Sequence, residues 1–80
     1  MKNNIESIAV CQSMQLTASA ILGDLVGNPD IVNIPAYREL IERVYMAARQ
    51  SACLARILGD EQTANFTDRI CNQLVEKANL

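Results

Sequence analysis

Seventeen consecutive residues, SIAVCQSMQLTASAILG at positions 7–23, carry no charge in a chain in which 20% of residues are charged. A run of this kind is a membrane span, a secretion signal, or a helix with no side free to face water. Gln12, Ser13 and Gln15 interrupt its apolar centre, so it falls short of the roughly 20 mainly apolar residues that a spanning helix needs. The TASA sequence matches the small-residue pattern that signal peptidases accept, yet Lys2 is the only basic residue before the run and Glu6 offsets it. The third reading is the one the residues support: a soluble helix covered on more than one side.

The helix boundaries follow from local chemistry. Asn4 is suited to cap a first helix, since its side-chain oxygen can accept a free amide of the opening turn. Gly27, followed by Pro29 in GNPD, is expected to close that helix in a left-handed conformation. Residues 28–33 then form a connector. In NIP, Asn33 or Ile34 serves as cap and Pro35 occupies the first turn, where its missing amide hydrogen costs nothing. Apolar periodicity then continues to Leu58, and Gly59 ends the helix. Asp60 caps a third helix that has Glu61 in its first turn. The expected helices are 5–26, 34–58 and 61–78 within a single domain, residues 1–80.

The tight GD connection makes the second and third helices an antiparallel hairpin, with the N-terminal helix packed across it. Half the residues are apolar, but Phe66, Tyr37 and Tyr45 are the only aromatics. The core must therefore be aliphatic and alanine-rich. Placed at 100° per residue, the first helix gathers Val10, Cys11, Met14, Ala18, Ile21, Leu22 and Leu25 on a broad face. The second helix presents Tyr37, Leu40, Ile41, Val44, Ala47, Ala48, Ala55 and Leu58, and the third Phe66, Ile70, Leu74 and Ala78, widened by Ala64, Cys71 and Val75.

Two apolar stripes lie away from these faces. Ile5, Ala9, Leu16 and Ala20 run along the back of the first helix, bordered by Ser, Thr and Gln where an ordinary surface helix carries Lys and Glu. Either a second copy of the chain covers this stripe or the connector DIVNI folds over it, and the first alternative accounts better for the missing charge. Met46, Cys53 and Ile57 form an i, i+7, i+11 stripe on the polar side of the second helix, which suggests a partner-binding surface or scattered exposed side chains.

The sequence offers little to catalysis. Histidine is absent, so serine, threonine and cysteine lack the usual base. The carboxylates show no metal-ligating spacing, the three glycines are isolated, and Cys11, Cys53 and Cys71 have neither CxxC spacing nor an even count. Reduced thiols in a cytoplasm fit that usage. A net charge of −2 supplies no field for capturing nucleic acid or an acidic membrane. Arg38, Arg49 and Arg56 do share one line on the second helix, as a phosphate-tracking ridge would require. Their neighbourhood also holds Glu42 one turn after Arg38, while Glu39 precedes Arg43 by one turn, so i, i+4 ion pairs account for part of this charge.

The ten residues ACLARILGDE resemble the end of the second helix of the Rop family of small plasmid RNA-binding proteins, which are dimeric helical hairpins. Nothing is carried over from this ten-residue resemblance, because that family's RNA-contacting face lies on its first helix and has no match here. The sequence therefore leads to an all-α, three-helix protomer assembled as a dimeric helical bundle. It would bind itself and another protein as an adaptor, chaperone-like factor, inhibitor or regulatory subunit, with no enzymatic activity, cofactor or metal. The alternative is a dimeric nucleic-acid-binding regulator using the three arginines.

Overall fold

A computed structural model describes the backbone of residues 2–80 and the side chains from residue 5 onward. Three α-helices pack along their length: α1 (Lys2–Gly27), α2 (Pro35–Ile57) and α3 (Glu61–Ala78), with a 3-10 turn at Pro29–Asn33 between the first two. The side chain of Asn4 lies outside the described residues, and the backbone is already helical at that position. The other boundaries agree with the sequence to within one residue.

The chain leaves α1 differently from the expectation. Gly27 stays within the helix and does not adopt positive φ; the break comes at Asn28, whose non-helical backbone (φ −147°, ψ 82°) leads into Pro29. Gly59 does take the left-handed conformation, at φ +88°. The Asp60 amide then donates to the Ala55 carbonyl at 2.8 Å and the Gly59 amide to Arg56 at 3.1 Å, which closes α2 and turns the chain directly into α3. Asp60 caps α3 by accepting from the Thr63 amide at 3.2 Å.

A seven-residue repeat on every helix organises the core. Cys11, Ala18 and Leu25 on α1, Ile41, Ala48 and Ala55 on α2, and Ala64, Cys71 and Ala78 on α3 are each no more than 2% exposed. Cys11, Ala55 and Ala64 form one packed layer. The same spacing stacks Ala18 with Ala48 and Cys71, and Leu25 with Ile41 and Ala78, within the main cluster. Between these layers lie Met14, Ala52 and Thr67, and then Ile21, Leu22, Val44 and Leu74. Side chains this small let the helices approach closely. α1 runs parallel to α3 and antiparallel to α2, and the protomer measures 44 × 19 × 18 Å. Its radius of gyration, 13.0 Å, exceeds the roughly 12 Å of a compact globule of this length.

Several residues depart from the expected core. Val10, Leu40 and Phe66 are exposed, whereas Ala52, Thr63 and Thr67 are buried. The three bundle axes cover a narrower sector of each helix than its apolar residues span, so those at the edges stay in solvent. Among the described residues no buried side-chain nitrogen or oxygen lacks a hydrogen-bond partner, and no helix is long and apolar enough to cross a membrane.

Candidate interaction surfaces

The back of α1 is bare. Ile5 and Leu16 are 74% and 68% exposed, and Ala9 and Ala20 are exposed beside them. The connector does not cover this stripe: Ile31 and Val32 pack against the main core cluster instead. Gly23 belongs to the same face, and a methyl group placed on it would meet nothing within 4 Å. On the border of the stripe Thr17 donates its hydroxyl to the Ser13 carbonyl at 3.1 Å, so this polar group is satisfied locally without a charge.

The stripe on α2 is equally open. Ile57 is 81% exposed, and Met46 and Cys53 are exposed with it, on the side of the helix opposite Ile41, Ala48 and Ala55. The two apolar stripes lie on different helices, each turned away from the core.

The arginine line has another use within the chain. Arg38 donates to the carbonyls of Ala78 at 2.7 Å and Asn79 at 3.0 Å, placing a cation at the C-terminus of α3 where the helix dipole favours it. It also lies 3.6 Å from Glu42. Arg49 donates to Asp68 at 3.0 Å and to Asn72 at 2.6 Å, and its guanidinium sits 5.3 Å from the centre of the Tyr45 ring. Arg56 reaches the other oxygen of Asp68 and Asn65, both at 3.0 Å. All three side chains thus span the seam between α2 and α3. The partners on α3 and at its C-terminal cap were not evident in the sequence because they are 9 to 41 residues away along the chain, and their approach depends on how the two helices are rotated.

Arg43, by contrast, pairs with Glu39 one turn away at 2.8 Å, as the spacing implied. A shallow depression beside this pair is lined by Ala36, Glu39, Leu40 and Arg43. It holds one carboxylate whose charge is already matched. Burial raises the Cys71 thiol above its ordinary pKa, which keeps it protonated and a poor nucleophile. Among the described residues no group of three or more His, Cys, Asp or Glu side chains is arranged to hold a metal ion.

Comparison with protein-family models, with curated proteins and with solved structures finds no match to this chain. The surfaces themselves are therefore the basis for a functional reading.

Proposed function

We propose that this chain is a self-associating helical module that binds another protein, in the manner of an adaptor, chaperone-like factor, inhibitor or regulatory subunit. The observation that supports this reading is the uncharged outer face of α1. Ile5 and Leu16 protrude from it into solvent with no lysine or glutamate interspersed between residues 7 and 23. A face meant for water is ordinarily charged, because exposed helix positions cost nothing to charge and gain solubility. A face meant for protein avoids charge, whose desolvation is expensive, and accepts Ser, Thr and Gln, which can hydrogen-bond across a seam.

Size strengthens the case. An 80-residue domain buries too little of its own surface to be robust alone, and association is a common remedy. The accessible surface of 5207 Å² exceeds the roughly 4,800 Å² of a compact monomer of this mass. A second apolar stripe, Met46, Cys53 and Ile57 on α2, gives such an assembly a surface for a different partner.

Sedimentation in dilute solution tests the reading. The wild-type chain is expected to sediment at a multiple of its own mass, and Leu16→Glu as a monomer of unchanged helicity. A wild-type monomer throughout the micromolar range would overturn it.

A further inference from the structure

The three helices are not equally secured. α1 is the longest, at 26 residues, yet among the described residues it fully buries only Cys11, Ala18 and Leu25, against five side chains on α2 and seven on α3. α2 and α3 also pack more extensively against each other than either does against α1. The polar contacts divide in the same way. Arg38, Arg49 and Arg56 tie α2 to α3 and its C-terminal cap through six hydrogen bonds. Among the described residues α1 has two such ties to the hairpin: Asp24, which accepts from the Tyr37 hydroxyl at 2.9 Å, and Gln12, which lies against the Asp60 carboxyl.

The sequence of α1 also does little to keep it helical. Its uncharged run at residues 7–23 leaves no i, i+4 ion pair there, whereas α2 has Arg38 with Glu42 and Arg43 with Glu39. No acid stands in its first turn and no base in its last, where Asp24 instead meets the negative end of the helix dipole. α3 carries the favourable pattern, Glu61 in its first turn and Lys77 in its last. Six β-branched residues and two glycines lower the helical propensity of α1 further. Such a helix is held by what it packs against.

We infer that α1 is a releasable strap: it leaves the α2–α3 hairpin as one unit, turning at Gly27 and Asn28, while the hairpin stays closed. The pivot suits this motion. Pro29 and Pro35 disfavour helical backbone at the residues before them, Asn28 and Ile34, so the connector cannot merge with either helix into a rigid rod. Beyond the pivot Ile31 and Val32 pack against the main core cluster, and the connector lies on α2. The far end of the hairpin is closed by its own backbone, through the Asp60 amide on the Ala55 carbonyl at 2.8 Å. Release bares Ala48, Cys71 and Leu74, all buried, so the open form is the minor one at equilibrium. The inference goes beyond the self-association reading and does not rest on it.

The chain carries its own probes of this opening. Cys11 is buried on α1, and Cys71 is buried on α3 in the cluster that contains Ala18. Release of α1 exposes both thiols at once. In a Cys53→Ser background, which removes the exposed thiol, the protein is labelled in dilute solution with N-ethylmaleimide, and amide hydrogen exchange is followed by mass spectrometry on the same sample. Corrected for the rates of the unfolded chain, Cys11, Cys71 and the α1 amides are expected to share one protection factor. That factor should be about tenfold or more below that of the slowest amides of α2 and α3.

Asp68→Ala gives a second measurement. The contacts of Asp68 with Arg49 and Arg56 lie within the hairpin and persist when α1 leaves. The variant is therefore expected to change thiol labelling by less than about twofold, while the slowest amides of α2 and α3 exchange about fivefold or more faster. Equal protection of all three helices in the wild type would overturn the inference, because the bundle would then open only as a whole. So would Asp68→Ala chains whose thiols and slow amides accelerate together, or thiols with different protection factors, since α1 would not then leave as one unit.

Discussion

Arg49 and Asp68 meet across the seam between α2 and α3 at 3.0 Å, and the second oxygen of the same carboxylate takes Arg56 at an equal distance. One acid on α3 thereby anchors two bases that lie two turns apart on α2. Both pairs are partly solvated, so each contributes modestly on its own. Sharing one oriented carboxylate between two guanidinium groups raises the combined effect. Asp68→Ala is expected to cost about 1–2 kcal/mol, a fall in Tm of about 5–10 °C for a domain of this size. Asp68→Asn, which keeps one acceptor, should fall between the wild type and Asp68→Ala. Thermal unfolding followed by circular dichroism, at low and at high salt, checks both the size and the electrostatic origin of the effect.

The same geometry bears on nucleic acid. Arg38, Arg49 and Arg56 have donors engaged by Ala78, Asn79, Asp68, Asn65 and Asn72. A ridge whose guanidinium groups are occupied in this way has little left with which to replace counterions on a phosphate backbone. The wild-type chain is therefore expected to leave a nucleic-acid probe unshifted at low salt. A shift that weakens steeply as salt rises, and disappears on replacing the three arginines, would restore the polyanion reading.

Much of the fold is legible in the sequence because its signals are local. Gly59 followed by Asp60 specifies a helix end and a new cap within two residues, and Pro35 marks the start of α2 without any knowledge of the tertiary structure. The seven-residue spacing of small residues was present as well, but its meaning depended on all three helices at once. Val10 and Phe66 read as core because each is apolar and close to a buried face. Only the positions of the neighbouring axes decide that both fall outside. Thr63 and Thr67, both buried, are absent from the face read for α3 for the converse reason: a β-branched polar residue on a helix carries no sequence sign of burial. The outer stripe of α1 was legible from an absence of charge, which marks a face as unusual without naming what covers it.

The small residues of the central layer make a sharp test of packing. Ala18, Ala48 and Cys71 are each fully buried and occupy one level of the bundle. Ala48→Leu adds three carbons where three helices converge, and interiors at crystal-like density have no room for them. The expected cost is about 1–3 kcal/mol or more, from displaced backbones and strained rotamers. Chemical denaturation should show the lower midpoint with little change in slope.

Acid should weaken the start of α3. Thr63, through its hydroxyl and its backbone amide, holds the Asp60 carboxyl below its ordinary pKa. A depressed value in the folded state means that the contribution is present above the unfolded value near 3.8 and is lost as pH falls through the lower folded value. Asp60→Asn keeps a capping oxygen but cannot titrate. The difference in Tm between the wild type and Asp60→Asn should therefore be constant near neutrality and change only as the solution becomes more acidic than the ordinary aspartate range. A difference that is flat down to full protonation would remove Asp60 from the acid response.

The stripe on α2 separates two kinds of surface. Met46 and Ile57 project opposite the buried line of α2, and α1 lies on the far side of that line, so an assembly held by the outer face of α1 leaves them uncovered. Neither side chain supports the core, and exchanging both for serine should change stability by no more than about 0.5 kcal/mol per site. The expected result for the double variant Met46→Ser, Ile57→Ser is an unaltered Tm and an unaltered sedimenting mass. Such an outcome confines the role of this stripe to partners other than a second copy. A fall in mass would instead make α2 part of the self-association seam, and the reading of α1 as the face that joins the copies would have to be abandoned.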